Sequence, residues 1–296
     1  MSLKIAELFG YVPTDLSPVA ISARTSEACP FIGKKCIKKF KSGIVSGACA
    51  VTPATSSVVI CCPIRMYAQN YQILLDVARE CFGPNARLIR ELKSRVGDGH
   101  DVIVFGKGWG KELRLPSRGN HGGYFVDWIL ALLDADGKLK EFVAVEVQTM
   151  DTSGSYEAQV KELLAGKANV RSSAKAGINW ENVSKRILPQ LIYKGHVLRR
   201  EPLCTKGMFF ICPKPVYERI LSRLGGTLQV YHPQAGALTF RWYDLGEPAP
   251  IGTHRLVEFK GQKTTTIDQV ALAFTSPQNL PDAGVYQKAI SAVLTA

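Results

Sequence analysis

Asp127, Glu146 and Gln148 are the residues whose types and spacing could do chemistry. Two carboxylates facing each other across a strand pair, about 5 Å apart, repel by roughly 3 kcal/mol at an effective dielectric of about 20. A hard divalent cation between them removes that penalty. Mg²⁺ suits the place, because it is usually held by one or two carboxylates with water and a substrate phosphate completing its shell. An ion so placed polarises a phosphoryl oxygen and lowers the pKa of bound water. The alternatives are that Asp127 pairs with a Lys or Arg from elsewhere, or that a bulge shifts the strand register.

Two strands must position the pair. Residues 123–133 are rich in aromatic and branched side chains, and residues 142–148 alternate with period two. Between them Asp136-Gly137 signals a two-residue hairpin, whose central positions need positive φ. With that loop, Ala135 faces Lys138 and Asp127 faces Glu146. Gln148, two residues on, shares the face of Glu146, while Val143, Val145 and Val147 point to the other.

The rest of the chain reads as a mixed sheet with flanking helices. Helical spacing covers residues 65–82 and stops at Gly83-Pro84. Further helices are expected over 155–165, over 179–194 with a kink or break at Pro189, and over 282–294. Strands are expected at 102–105, 208–212, 228–231 and 238–243. Residues 106–111 match neither a Walker loop nor a dinucleotide fingerprint and read as a flexible turn.

Composition bounds the partners. The chain has 296 residues, 46% hydrophobic, enough for one large domain plus a smaller module. Thirty-seven Lys and Arg against 25 Asp and Glu give a formal charge of +12 and a pI near 9.3. That balance favours polyanions such as nucleic acid or acidic membrane. No stretch approaches the roughly 20 apolar residues of a membrane span. Met1–Tyr11 carries Lys4 and Glu7 where a signal peptide has its apolar core. The expectation is a cytoplasmic protein with no membrane partner and reduced thiols.

Five of the eight cysteines, Cys29, Cys36, Cys49, Cys61 and Cys62, fall in a loop-like segment punctuated by Pro30, Gly33, Gly43, Gly47 and Pro53. A tetrahedral thiolate metal site would organise such a segment, since metal binding in small modules is itself folding free energy. The spacings are not those of CxxC pairs, and buried free thiols are the alternative. Cys62 is preferred to Cys61 as fourth ligand because Pro63 suits an irregular turn there. Cys81, Cys204 and Cys212 are expected in the core. Lys34, Lys35, Lys38, Lys39 and Lys41 make either a phosphate-contacting run or a solvated face.

Asp127 followed by Glu146-x-Gln148 on the next strand resembles the PD-(D/E)XK nuclease signature, with Gln in place of the usual Lys. Together with Ala28-Cys29-Pro30-Phe31, Cys36-Ile37-Lys38, Gly47-Ala48-Cys49 and the stretch from Cys62 to Ala68, it resembles the NotI and EagI group of type II restriction endonucleases. Similar stretches at 9–11, 110–112, 177–180, 185–190 and 245–248 extend the likeness over nearly the whole chain.

The resemblance implies an α/β fold, a PD-(D/E)XK nuclease-like mixed β-sheet flanked by helices, with a small N-terminal cysteine-rich metal-binding module. Residues 1–90 would hold that module and a connecting helix, and 91–296 the catalytic and DNA-recognition domain. It further implies a homodimer that cuts both strands of palindromic, GC-rich double-stranded DNA with Mg²⁺, beside a cognate DNA methyltransferase that protects host sites. Asp127 and Glu146 become Mg²⁺ ligands, Glu112 a further acidic position, and Gln148 the occupant of the lysine position. Iron is implied for Cys29, Cys36, Cys49 and Cys62, where chemistry alone makes zinc the default. Gln148 can orient water or phosphate but cannot titrate; a second metal or Lys161 could offset the missing charge. Arg171, Lys175, Lys185, Arg186, Arg199 and Arg200 are candidate readers of guanine O6 and N7. Two competing readings are a non-catalytic metal-finger DNA-binding regulator and a PD-(D/E)XK repair nuclease without sequence specificity.

Overall fold

The computed structural model describes residues 3–54, 57–109, 111–115, 124–150, 152–167, 170, 176–225, 228–276, 280 and 282–295. The chain opens with β1 (Leu3–Leu8), α1 (Pro18–Thr25), β2 (Ala28–Cys29), β3 (Lys34–Lys35), β4 (Ala48–Pro53) and β5 (Val59–Ile60). Next come α2 (Pro63–Met66), α3 (Ala68–Phe82), β6 (Arg87–Ile89), β7 (Asp101–Gly106), β8 (Arg114–Leu115), β9 (Tyr124–Phe125), β10 (Trp128–Leu133) and β11 (Leu139–Val147). They are followed by β12 (Thr152–Ser153), α4 (Glu157–Leu164), β13 (Gly177–Ile178), a π-helical turn at Val183–Ile187, α5 (Leu188–Leu198), β14 (Met208–Pro213) and α6 (Lys214–Leu224). Last are β15 (Ala237–Leu245), β16 (Val257–Thr266), α7 (Ile267–Thr275) and α8 (Val285–Leu294).

The main sheet has the order β16-β15-β14-β11-β10-β7-β6. Its centre, β11-β14-β15, is parallel, while the β10–β11 hairpin and the β7 and β16 pairings beside it are antiparallel. The expected mixed sheet flanked by helices is therefore what forms. Period-two alternation sorts its faces. Trp128, Leu130, Leu132, Val143, Val145 and Val147 share one core with Leu74, Val77 and Ala78 of α3. Ala144, Met208, Phe210 and Phe240 share the opposite core with Leu191 of α5, Ile220 of α6 and Val270 of α7.

β1, β4 and β5 form a separate small sheet. Its Ala50 and Ile60 join the α3 core, and β6 is the edge of the main sheet, so apolar packing runs across residue 90. A buried ion pair also ties the small sheet down: Arg65 Nε donates to Glu7 at 2.7 Å, and Arg65 Nη2 donates to the Arg255 carbonyl at 2.6 Å. The Gly252 amide reaches Asp15 at 2.8 Å, and His254 Nδ1 lies 3.1 Å from the Gly10 carbonyl.

Several expectations are corrected. The helix over 65–82 is two pieces, with Gln69, Asn70 and Tyr71 in left-handed backbone where α3 begins. The interruption expected in the helix over 179–194 is the π turn at Val183–Ile187, which runs directly into α5 with Pro189 in that helix's first turn. Residues 228–231 form no strand. Leu228 turns into the core, the Tyr231 amide makes one bond to the Thr264 carbonyl, and Pro233 offers no N–H to continue a ladder. Gly110, Gly123, Arg171 and Lys175 lie outside the described residues.

Candidate functional site

The hairpin is wider at its tip than its letters suggest. Asp134 N donates to the Lys138 carbonyl at 2.9 Å, and Gly137 takes φ 85°. The loop therefore spans residues 135–137, the three-residue class that closes with a left-handed glycine and a bulge. The bulge follows at Lys140, between the pairs Leu133–Leu139 and Leu132–Glu141. The two irregularities cancel. From Leu132 to Trp128 the pairing is the one read from the sequence, ending with Trp128 opposite Val145.

Asp127 lies one step beyond that last pair, beside Glu146. Its Oδ2 accepts the Val147 amide at 2.9 Å. Glu146 is only 8% exposed, whereas Asp127 is exposed. Burial, then the charge of Asp127, pushes the Glu146 carboxyl up to about 7, against the pull of Lys194. Asp127 is raised too, mainly by the protein around it, with Glu112 adding to the rise and Val147 N–H and Lys194 opposing it. These shifts describe negative charge that the protein offsets only in part.

The offset comes from a residue missed by the sequence reading. Lys194 of α5 places Nζ 2.6 Å from Glu146 Oε1 and is itself 7% exposed. A signal for it exists: Leu188, Leu191, Lys194, Gly195 and Leu198 are the buried face of α5, so a cation stands at an apolar position of the helical period. Lys161, the cation expected to help, pairs with Glu157 at 2.8 Å on α4. Gln148 donates its side-chain amide to the Thr149 carbonyl at 3.0 Å. Glu112 is exposed just before β8.

Cys29, Cys36, Cys49 and Cys62 line a single cavity of about 20 Å³, together with Phe9, Phe31 and Ile64. That is room for one atom-sized guest. Cys61 is turned elsewhere, its Sγ 3.7 Å from both Lys38 Nζ and the Ala48 carbonyl. Burial raises the Cys29, Cys49 and Cys61 thiols and pushes Cys62 up to about 11, so they favour the protonated form without a cation. Among the described residues no three His, Cys, Asp or Glu side chains stand close enough together to hold a metal ion. Any ion would have to draw the thiols inward.

Cys81, Cys204 and Cys212 are buried core thiols, as expected. Within the lysine run, Lys38 turns inward to the Cys61 carbonyl at 2.9 Å, while Lys34, Lys35, Lys39 and Lys41 are exposed. Lys185 pairs with Glu181 and Arg199 with Asp268; Arg186 and Arg200 are exposed. No described helix is long and apolar enough to cross a membrane.

Compared with known families, the chain matches the one described as restriction endonuclease NotI, over residues 20–256. No curated protein matches the chain.

Proposed function

The chain belongs to the NotI restriction endonuclease family and is a type II restriction endonuclease, a hydrolase acting on double-stranded DNA; from that premise we propose that Asp127 and Glu146 are its catalytic carboxylates. The observation that carries this reading is the buried Glu146 set beside the solvent-facing Asp127 at the end of the β10–β11 ladder, both carboxyls raised by the protein around them and by negative charge that is only partly met. Hard oxygen donors in that condition fit Mg²⁺. When bound, the ion would supply Lewis acidity and an activated water. Asp127 and Glu146 would hold it, with Glu112 as a further acidic donor.

The chain's own groups orient the reactants. The Val147 amide fixes Asp127 Oδ2. Gln148 needs only to release the Thr149 carbonyl to offer its amide to water or phosphate. The water oxygen bonds to phosphorus as the in-line bond from phosphorus to the 3′ oxygen breaks, and that oxygen takes a proton. An Asp at the bend just before β10, followed by Glu146 near the end of antiparallel β11 and Gln148 one residue past it, supports the PD-(D/E)XK assignment. One carboxylate pair per chain supports a homodimer for cutting both strands, hence a palindromic site, read here as GC-rich and shielded in the host cytoplasm by a methyltransferase.

The four thiols around one cavity support a structural metal, iron or zinc, held by Cys29, Cys36, Cys49 and Cys62. Elemental analysis should find about one such ion per chain, lost from Cys36→Ala and Cys62→Ala along with several kcal/mol of stability. Cys61→Ala should keep it. Equal metal content in all three variants would remove the assignment.

Incubating the protein with phage DNA and Mg²⁺ tests the whole reading. Discrete fragments are expected. A smear would indicate a nuclease without sequence specificity, and intact but retarded DNA would indicate a binding protein that does not cut.

A further inference from the structure

Phosphodiester hydrolysis builds negative charge on the phosphate oxygens, so a preorganised cation lowers the barrier. Just past the end of β11, two residues on from Glu146, the side chain is neutral: Gln148 presents an amide, turned to the Thr149 carbonyl. Lys161 is tied to Glu157. The cation that does reach the carboxylates comes from another element, with Lys194 Nζ 2.6 Å from Glu146 Oε1.

Its placement is hard to account for as packing. Leu188, Leu191 and Leu198 make the rest of that helix face apolar. Burying an ammonium costs several kcal/mol unless it is paired, and a buried pair is often no more stable than its apolar replacement. The position is also held firmly. Gly195 lets α5 press against Ile267, where any Cβ would collide with that side chain, so the backbone next to Lys194 is seated directly on α7. An ammonium carries three donors. Among the described residues Glu146 is its hydrogen-bond partner, through one oxygen.

We propose that Lys194 is the fixed cation of this catalytic centre, delivered from α5 to do what Gln148 cannot do from the end of β11: it orients Glu146 and offers its remaining donors to the scissile phosphate. The inference rests on the reading of Asp127 and Glu146 as the catalytic carboxylates.

The test compares Lys194→Met, Lys194→Gln and Lys194→Arg by calorimetric Mn²⁺ binding without DNA and by single-turnover cleavage of phage DNA, with thermal melting to confirm folding. Removing a cation that both occupies Glu146 and repels a second positive charge should tighten Mn²⁺ binding about tenfold or more in the Met and Gln variants. Cleavage should fall by about a hundredfold or more in those same variants. Lys194→Arg, which keeps the charge, should restore Mn²⁺ affinity to the wild-type level and part of the cleavage rate. Opposite movement of metal affinity and rate is the signature, because a merely structural lysine would weaken both. Wild-type cleavage in Lys194→Met, or joint loss of Mn²⁺ binding and cleavage that arginine does not rescue, would overturn the proposal. Should Glu146→Gln bind Mn²⁺ and cut DNA like the wild type, it is the carboxylate assignment that fails, and Lys194 with it.

Discussion

Glu146→Ala and Asp127→Ala should each reduce Mg²⁺-dependent cleavage of phage DNA by about a thousandfold or more, the scale of loss when groups acting as one unit are removed. Because the two act together, the double variant should be little worse than either single one. Glu146→Ala carries a second effect, since it leaves the Lys194 ammonium buried without its partner. Glu146→Gln keeps the side-chain volume and a hydrogen-bond acceptor, and so separates lost catalysis from lost stability. Single-turnover rates measured alongside melting curves give the answer. Full activity in a folded Asp127→Ala or Glu146→Ala variant would remove that residue from the site.

The second large effect falls on stability. Arg65 and Glu7 are 0% and 1% exposed, and the guanidinium meets both carboxylate oxygens, at 2.7 and 3.1 Å. Arg65→Met or Glu7→Leu alone strands the other charge in the interior and should cost about 3–5 kcal/mol. The joint change should recover most of that loss, because Arg65 Nη1 is buried without a hydrogen-bond partner even in the native pair. Urea unfolding of the two single variants and the double variant closes the cycle. Additive losses would show that the charges do not depend on each other.

How much was legible in the letters follows from the range of each interaction. The β10–β11 register could be read because alternation and turn lie within one short stretch, and because flipping Val143, Val145 and Val147 outward would expose them. The tip was misread, since Asp-Gly fits both a two-residue loop and the wider loop with a left-handed Gly137. Residues 228–231 have strand composition, but whether they pair depends on a ladder from elsewhere in the chain. The choice of Cys62 over Cys61 rested on Pro63, a local cue, and the two thiols do turn to different surroundings. Lys194 was out of reach for the opposite reason. Its partner lies 48 residues away on another element, and only tertiary packing brings them together.

The contacts that bind Gly10, Asp15 and Arg65 to the segment around residues 252–255 have a consequence for synthesis. The ribosome emits the amino-terminal segment early, yet the partners that Gly10, Asp15 and Arg65 find around residues 252–255 leave the exit tunnel only after the β10–β11 hairpin and most of the main sheet have been made. A nascent chain built in this order completes its first-made part only after β15, residues 237–245, has emerged.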